Sequence, residues 1–238
     1  MVFISHAHHY IFVHIPKTGG TSITTTMKDW YKYLDKQRED PEPEIHHMNM
    51  DKIVETLYPI QKVGKAVEMC GEKYCTRGPR DYTKFCFVRN PWDRFLSGYT
   101  EFVNNRAAYG EPEAIELAQT FPTFESFCKG FATSKFRDNV HFRPQATFIN
   151  ADINFIGRYE NLQEDFIRIC EHMVLPVKDG HMQADWVYSN AEYVLKRWDR
   201  KSNHVPYTEA YTPETRDIVG EIFKEDIEIF DYSFYPET

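Results

Sequence analysis

The chain has 238 residues, 42% hydrophobic and 27% charged, a globular composition long enough to bury a sizeable core and unlike that of disordered or fibrous sequences. Its net charge of −8 argues against nucleic acid or a long polyanion as partner. No apolar run approaches the roughly 20 residues that span a bilayer, and the N-terminus has neither the basic start nor the cleavage site of a signal peptide, so a cytoplasmic protein without membrane insertion is expected.

The five cysteines are odd in number and scattered, as in a reducing compartment. Cys86, Cys128 and Cys170 sit among apolar residues and are expected in the core. Cys70 and Cys75 are close enough for a bridge or, with His46 and His47, a metal site, but their spacing matches no common zinc pattern and no metal is expected.

Ile11 to Ile15 is apolar enough for a strand buried on both faces. It runs into Pro16-Lys17-Thr18-Gly19-Gly20-Thr21-Ser22, where the glycines permit a sharp turn and the hydroxyl pair opens a helix. First-turn N–H groups and the positive end of the helix dipole bind phosphate or sulfate oxygens, and Lys17 adds a full charge. The nucleotide-hydrolase loop places its lysine after the glycines; here it precedes them.

Ile23, Met27, Trp30, Tyr31 and Leu34 recur at helical spacing and predict a helix over residues 21 to about 36. Residues 37–44 read as a charged surface loop, and Ile53, Val54 and Leu57 as a short helix. Lys84 to Val88 is a second buried strand. It leads into Arg89-Asn90-Pro91-Trp92-Asp93-Arg94, where Asn90 is a good cap and Pro91 fits a first helical turn. Phe95, Tyr99, Phe102 and Val103 form that helix's apolar face.

Residues 104–135 read as a helical insertion covering the site, with short helices over 111–119 and 123–131. A third strand is expected around residues 153–156, then a helix burying Leu162, Phe166, Ile169 and Cys170, and a further helix near 191–198. Last comes a helix with Thr212 as cap, Pro213 at its first position and a continuous stripe through Ile218, Val219, Ile222, Phe223, Ile227 and Phe230. Alternating strands and helices predict a single α/β domain: a parallel sheet flanked by helices, with ligands at the carboxyl ends of its strands.

Where a P-loop kinase ends a strand in a metal-holding aspartate, this chain has Arg89. A cation there suits an extra anionic group on the ligand. Ser97, about two helical turns on, adds a hydroxyl on the same face.

Taken together, Ile15-Pro16-Lys17-Thr18-Gly19-Gly20-Thr21-Ser22 and Phe87-Val88-Arg89-Asn90-Pro91-Trp92-Asp93-Arg94-Phe95-Leu96-Ser97-Gly98-Tyr99 resemble the 5′-phosphosulfate loop and the 3′-phosphate motif of sulfotransferases that use 3′-phosphoadenosine-5′-phosphosulfate (PAPS). Phe155-Ile156-Gly157-Arg158-Tyr159-Glu160-Asn161-Leu162, Arg200-Lys201-Ser202-Asn203-His204 and Asp226-Ile227-Glu228-Ile229-Phe230-Asp231-Tyr232 are similar to the family-2 branch, which contains carbohydrate sulfotransferases and soluble bacterial members. The resemblance runs from about residue 11 to 234, leaving 104–135 unmatched.

It implies the P-loop α/β fold, in a bacterial or viral enzyme, and sulfuryl transfer from PAPS to a small-molecule or glycan hydroxyl. Lys17, Thr18, Gly19, Gly20, Thr21 and Ser22 would hold the 5′-phosphosulfate, and Arg89 and Ser97 the 3′-phosphate. Lys201 and Ser202 would close over the cofactor. His141, Arg143 and Gln145, in His141-Phe142-Arg143-Pro144-Gln145, resemble a motif of carbohydrate-acting members and are expected on the acceptor side.

Of ten histidines, His47 is the expected general base. It has the family's spacing before a short helix, between the two cofactor motifs, and an unperturbed pKa near 6.5 suits proton removal at neutral pH. His46 and His141 stay open as alternatives. A P-loop kinase using ATP, and a non-catalytic nucleotide- or glycan-binding module of the same fold, are the competing functions.

Overall fold

The computed structural model describes residues 2–5, 9–30, 44–46, 82–149, 153–172 and 205–235. His47, Lys201, Ser202, Cys70, Cys75 and the helices expected around residue 54 and over 191–198 lie outside them. The chain divides into two compact units, Met1–Val88 with Phe148–Asp199 and Arg89–Thr147 with Arg200–Thr238.

The first unit is built on a five-stranded sheet. Its strands are β1 (Val2–Ser5), β2 (Tyr10–Val13), β3 (Glu44–His46), β4 (Thr83–Val88) and β5 (Phe155–Arg158), ordered β3-β1-β2-β4-β5. β2 pairs parallel with β4, Phe12 opposite Phe85, and β4 parallel with β5, Phe87 opposite Gly157. The other half departs from the all-parallel expectation: β1 is antiparallel to both β2 and β3. The reason is connection length. Few residues separate Ser5 from Tyr10, whereas a parallel crossover needs a dozen or more. β1 and β3 are not among the strands expected from sequence.

β5 starts two residues later than expected because Asn154 pins the entry. Its side-chain Oδ1 accepts from Lys84 N–H at 2.7 Å and its own N–H donates to Lys84 C=O at 2.8 Å, so the ladder begins at Phe155.

Two helices flank this sheet, α1 (Gly20–Trp30) and α2 (Leu162–His172). The i, i+4 pair Ile23 and Met27 of α1, and Leu162, Phe166, Ile169 and Cys170 of α2, join Phe3, Tyr10, Phe12, Phe85 and Phe87 in one apolar cluster. Each fully buried side chain of this size contributes roughly 1.5–3 kcal/mol. That burial has to carry α1, since Thr21-Ser22-Ile23-Thr24-Thr25-Thr26 is a run of weak helix formers. Thr24 and Thr26 spend their hydroxyls on the carbonyls of Gly20 and Ser22, four residues back.

The second unit is largely helical. Asn90 Oδ1 accepts from Trp92 N–H and starts α3 (Pro91–Thr100) with proline at the first position, as the sequence predicts. A π-helical turn, Glu101–Arg106, follows, then α4 (Pro112–Thr120) and α5 (Phe124–Gly130), within two residues of the bounds expected. A short helix, α6 (Tyr207–Ala210), precedes α7 (Pro213–Ile222), which is capped by Thr212 through a reciprocal Thr212–Thr215 box, and α8 (Lys224–Phe230) ends the unit.

The expected continuous last helix is therefore two, broken at Phe223 (φ −107°, ψ 25°). Phe223 is drawn into an aromatic core centred on Phe95, whose ring lies 4.8 Å from Phe127, 5.0 Å from Phe131 and 5.5 Å from Phe223. Most of the chain's aromatic wealth is spent here and in the sheet cluster. Among the described residues no helix is long and apolar enough to cross a membrane.

Candidate active site

In the first unit, the residues between β2 and α1 form a tight, non-repetitive loop. Lys17 (φ 69°) and Gly19 (φ 82°) are both left-handed. For lysine that conformation is uncommon and costs of order 1 kcal/mol, a strain that accumulates at ligand-binding loops. Thr18 is fully buried and its hydroxyl donates to Ile15 C=O at 2.9 Å, so what it offers a ligand is its backbone N–H.

The two glycines serve different needs. Gly19 carries the positive φ, and a Cβ there would also approach Leu162 Cδ2 to 2.9 Å. Gly20 is required by a neighbour: a Cβ would fall 2.0 Å from Cδ2 and 2.2 Å from Nε2 of His14. The His14 ring stacks on Phe12 at 5.8 Å, and its Nδ1 is buried with no hydrogen-bond partner. Burial pulls the imidazole down to about 4, so it is neutral at pH 7.

Gly19 C=O accepts from Ser22 and Ile23 N–H, which starts the helix. The N–H groups of Gly20 and Thr21 have no acceptor within it. No acidic residue sits in the first turn of α1, so the positive end of the dipole is not neutralised from within the helix. A lysine, a left-handed loop and a helix start are the features from which anion-binding turns are built.

In the second unit, Arg89 follows the last strand residue and precedes α3. Its side chain is 7% exposed and its Nε donates to Asp93 Oδ2 at 2.8 Å. Ser97 is buried in α3.

The segment expected on the acceptor side lies close to Arg89. Gln145 is fully buried; its Oε1 accepts from Arg89 N–H at 2.9 Å and its Nε2 donates to Arg89 C=O at 2.8 Å. His141 donates its backbone N–H to Asn139 Oδ1 at 2.9 Å, and its Nδ1 lies 3.0 Å from the same oxygen. Asn139 Nδ2 donates to Glu113, which fixes the amide orientation. Nδ1 of His141 therefore carries the proton, and Nε2 accepts from Arg106 Nη2 at 2.9 Å. Both ring nitrogens of His141 are engaged. Arg143 is exposed; its Nε donates to Asp138 C=O, and its own C=O accepts from Arg94 Nη1.

Sequence reasoning assigned no role to Asp226. This fully buried carboxylate accepts from Gln145 N–H at 2.7 Å and Ala146 N–H at 2.8 Å. Burial raises its pKa, and those two N–H groups and Arg94 oppose the rise. Arg94, buried too, is lowered to about 10 by desolvation and stays charged at neutral pH. A signal was present: along Val219, Phe223, Asp226 and Phe230, a carboxylate occupies the apolar phase of a helix, and a buried carboxylate demands partners.

Among the described residues no group of three or more His, Cys, Asp or Glu side chains is placed to hold a metal ion. No curated protein and no solved structure matches the chain. The model of the sulfotransferase family matches residues 1–233. With the match running over nearly the whole length, through both the glycine loop and the Arg89 segment, the chain belongs to the sulfotransferase family, in its family-2 branch.

Proposed function

We propose that the protein transfers a sulfuryl group from PAPS to an acceptor hydroxyl, that of a carbohydrate, releasing adenosine 3′,5′-bisphosphate. The observation that carries this reading is the entrance to α1, where left-handed Lys17 and Gly19 precede a first turn without acidic residues. That donor set fits a phosphosulfate. The cofactor, when bound, supplies the activated sulfuryl group.

The chain's own residues bind and orient. Lys17, the backbone N–H groups of Thr18, Gly19, Gly20 and Thr21 and the hydroxyl of Ser22 hold the 5′-phosphosulfate, and Lys17 opposes the negative charge that grows as the sulfuryl group leaves. Arg89 and Ser97 take the 3′-phosphate. Lys201 and Ser202 close over the cofactor, and His47 removes the acceptor's proton. Of the three residues assigned to the acceptor side, exposed Arg143 is the one that meets it, while His141 and Gln145 hold the loop that presents it. We place the enzyme in the cytoplasm, acting on a small-molecule or glycan acceptor.

The test is transfer of labelled sulfate from PAPS across a panel of glycan, phenol and alcohol acceptors, with and without EDTA. We expect transfer to a glycan that EDTA leaves intact. Magnesium-dependent phosphorylation from ATP in place of sulfation would overturn the reading in favour of a kinase. A protein that binds the bisphosphate and transfers nothing would be a binding module.

A further inference from the structure

We infer that Gln145, anchored by Asp226, is a positioning residue that fixes Arg89 for the 3′-phosphate of the nucleotide; the inference rests on the cofactor reading above. Arg89 lies between the end of β4 and the start of α3, and its backbone N–H and C=O, like all buried backbone groups, call for partners. The primary amide of Gln145 partners both backbone groups, accepting from Arg89 N–H at 2.9 Å and donating to Arg89 C=O at 2.8 Å. These two bonds do for one residue what a neighbouring strand would do.

The amide is itself held from behind. Gln145 N–H donates to Asp226 Oδ2 and Ala146 N–H to Oδ1, so one buried carboxylate caps the turn that carries Gln145 and uses both of its oxygens in doing so. On the side-chain face, Asp93 accepts from Arg89 Nε at 2.8 Å. Arg89 is thus tied at its N–H, its C=O and its Nε. A guanidinium held in this way loses less freedom on meeting a phosphate than one on a mobile backbone. Gln145 is fully buried, which leaves no side-chain surface for an acceptor and separates its role from that of exposed Arg143.

The experiment is calorimetric titration of the full chain with adenosine 3′,5′-bisphosphate and with adenosine 5′-monophosphate, which lacks the 3′-phosphate. Wild type is compared with Gln145→Met, Gln145→Asn, Arg89→Ala and the Gln145→Met/Arg89→Ala double variant. Gln145→Met removes both bonds to Arg89 and is expected to weaken the bisphosphate about tenfold, the cost of roughly one such bond, with the monophosphate unchanged. In the Arg89→Ala background the same substitution should cost nothing further. Gln145→Asn withdraws the amide by one methylene, should show the same selective loss, and carries the test if Gln145→Met does not fold. Wild type binding both nucleotides equally would overturn the cofactor reading and this inference with it. If wild type prefers the bisphosphate, then equal weakening of both nucleotides, or a full additional loss in the double variant, would overturn the positioning role alone.

Discussion

Gly20 and His14 are fitted to one another so closely that a Cβ on Gly20 would overlap the imidazole, at 2.0 Å from Cδ2 and 2.6 Å from Cγ. The ring lies along Phe12 with an interplanar angle of 14°. Gly20→Ala should therefore destabilise the fold by about 1–3 kcal/mol, the usual cost of overpacking. Removing the obstacle should recover part of it: in urea unfolding, the His14→Ala/Gly20→Ala variant should be more stable than the sum of the single effects. Strict additivity would show that the ring is not what excludes the methyl group.

The same histidine gives the fold a pH dependence. Its pKa falls from 6.5 in the unfolded chain to about 4 in the folded one, mainly through burial. Between these values the unfolded state binds more protons, so stability rises with pH there. The His14 contribution is complete above pH 6.5 and is lost as pH falls toward 4, to a limit of about 3 kcal/mol. Urea midpoints measured from pH 7 to pH 4 should drop for wild type and drop less for His14→Ala. Parallel curves would mean that other groups account for the acid sensitivity.

Three helices of the second unit, α3, α5 and α7, had legible starts because those ends carry local chemistry: Asn90-Pro91, Thr123 and Thr212-Pro213 each cap the helix they announce. The strands β2 and β4 were legible for the same kind of reason, as continuous apolar runs leading into polar turns. What sequence did not reveal depends on distant partners. β1 is only four residues long, and it is a strand by virtue of its pairing with β2 and β3. The break at Phe223 interrupts a stripe with no glycine or proline to mark it. In the candidate site, the glycine loop and Arg89 could be read from type and spacing, whereas the grip of Gln145 on Arg89 joins residues 56 apart. The carboxylate of Asp226 lies a further 81 positions along.

Three cysteines should be chemically silent in the native protein. Cys86 and Cys128 are pushed up to about 12, burial being the main cause in each case, and Cys170 is buried as well. The thiolate is the reactive form, so iodoacetamide at pH 8 should leave all three unmodified in the folded chain and label them in denaturant. Peptide mapping that finds native labelling at any of them would contradict the packing around it.

Lys17 and Arg89 should separate in kinetics. Lys17 is proposed to offset charge that is largest in the transition state, so Lys17→Ala should lower kcat by far more than it weakens binding of adenosine 3′,5′-bisphosphate. Arg89 is proposed to hold a group that does not react, and Arg89→Ala should chiefly weaken nucleotide binding. A ligand at about 100 times its Kd adds roughly 2.7 kcal/mol to stability, so thermal shift with the bisphosphate reports the second effect without any turnover. Both variants losing mainly nucleotide affinity would abolish this division of roles.

The remaining prediction concerns the base. An acceptor hydroxyl becomes a better nucleophile as its proton leaves, and a histidine near its ordinary pKa is suited to take that proton at neutral pH. Two other histidines, His14 and the alternative His141, are disfavoured by their surroundings. His14 is neutral, but its Nδ1 is buried against the fold and its ring fills the space over Gly20. His141 spends Nδ1 on Asn139 and Nε2 on Arg106, and would have to break the second bond before accepting a proton. Of the adjacent pair His46-His47, in which His46 ends β3, His47 is the base we propose, because it has the spacing that the family resemblance implies. His47→Ala should reduce kcat by roughly 10²- to 10⁴-fold with bisphosphate binding unchanged, while His46→Ala and His141→Ala stay within about tenfold of wild type. The pH profile of kcat should lose its acidic limb in His47→Ala alone. A larger loss in His46→Ala or His141→Ala, or an unaltered profile in His47→Ala, would move the base elsewhere.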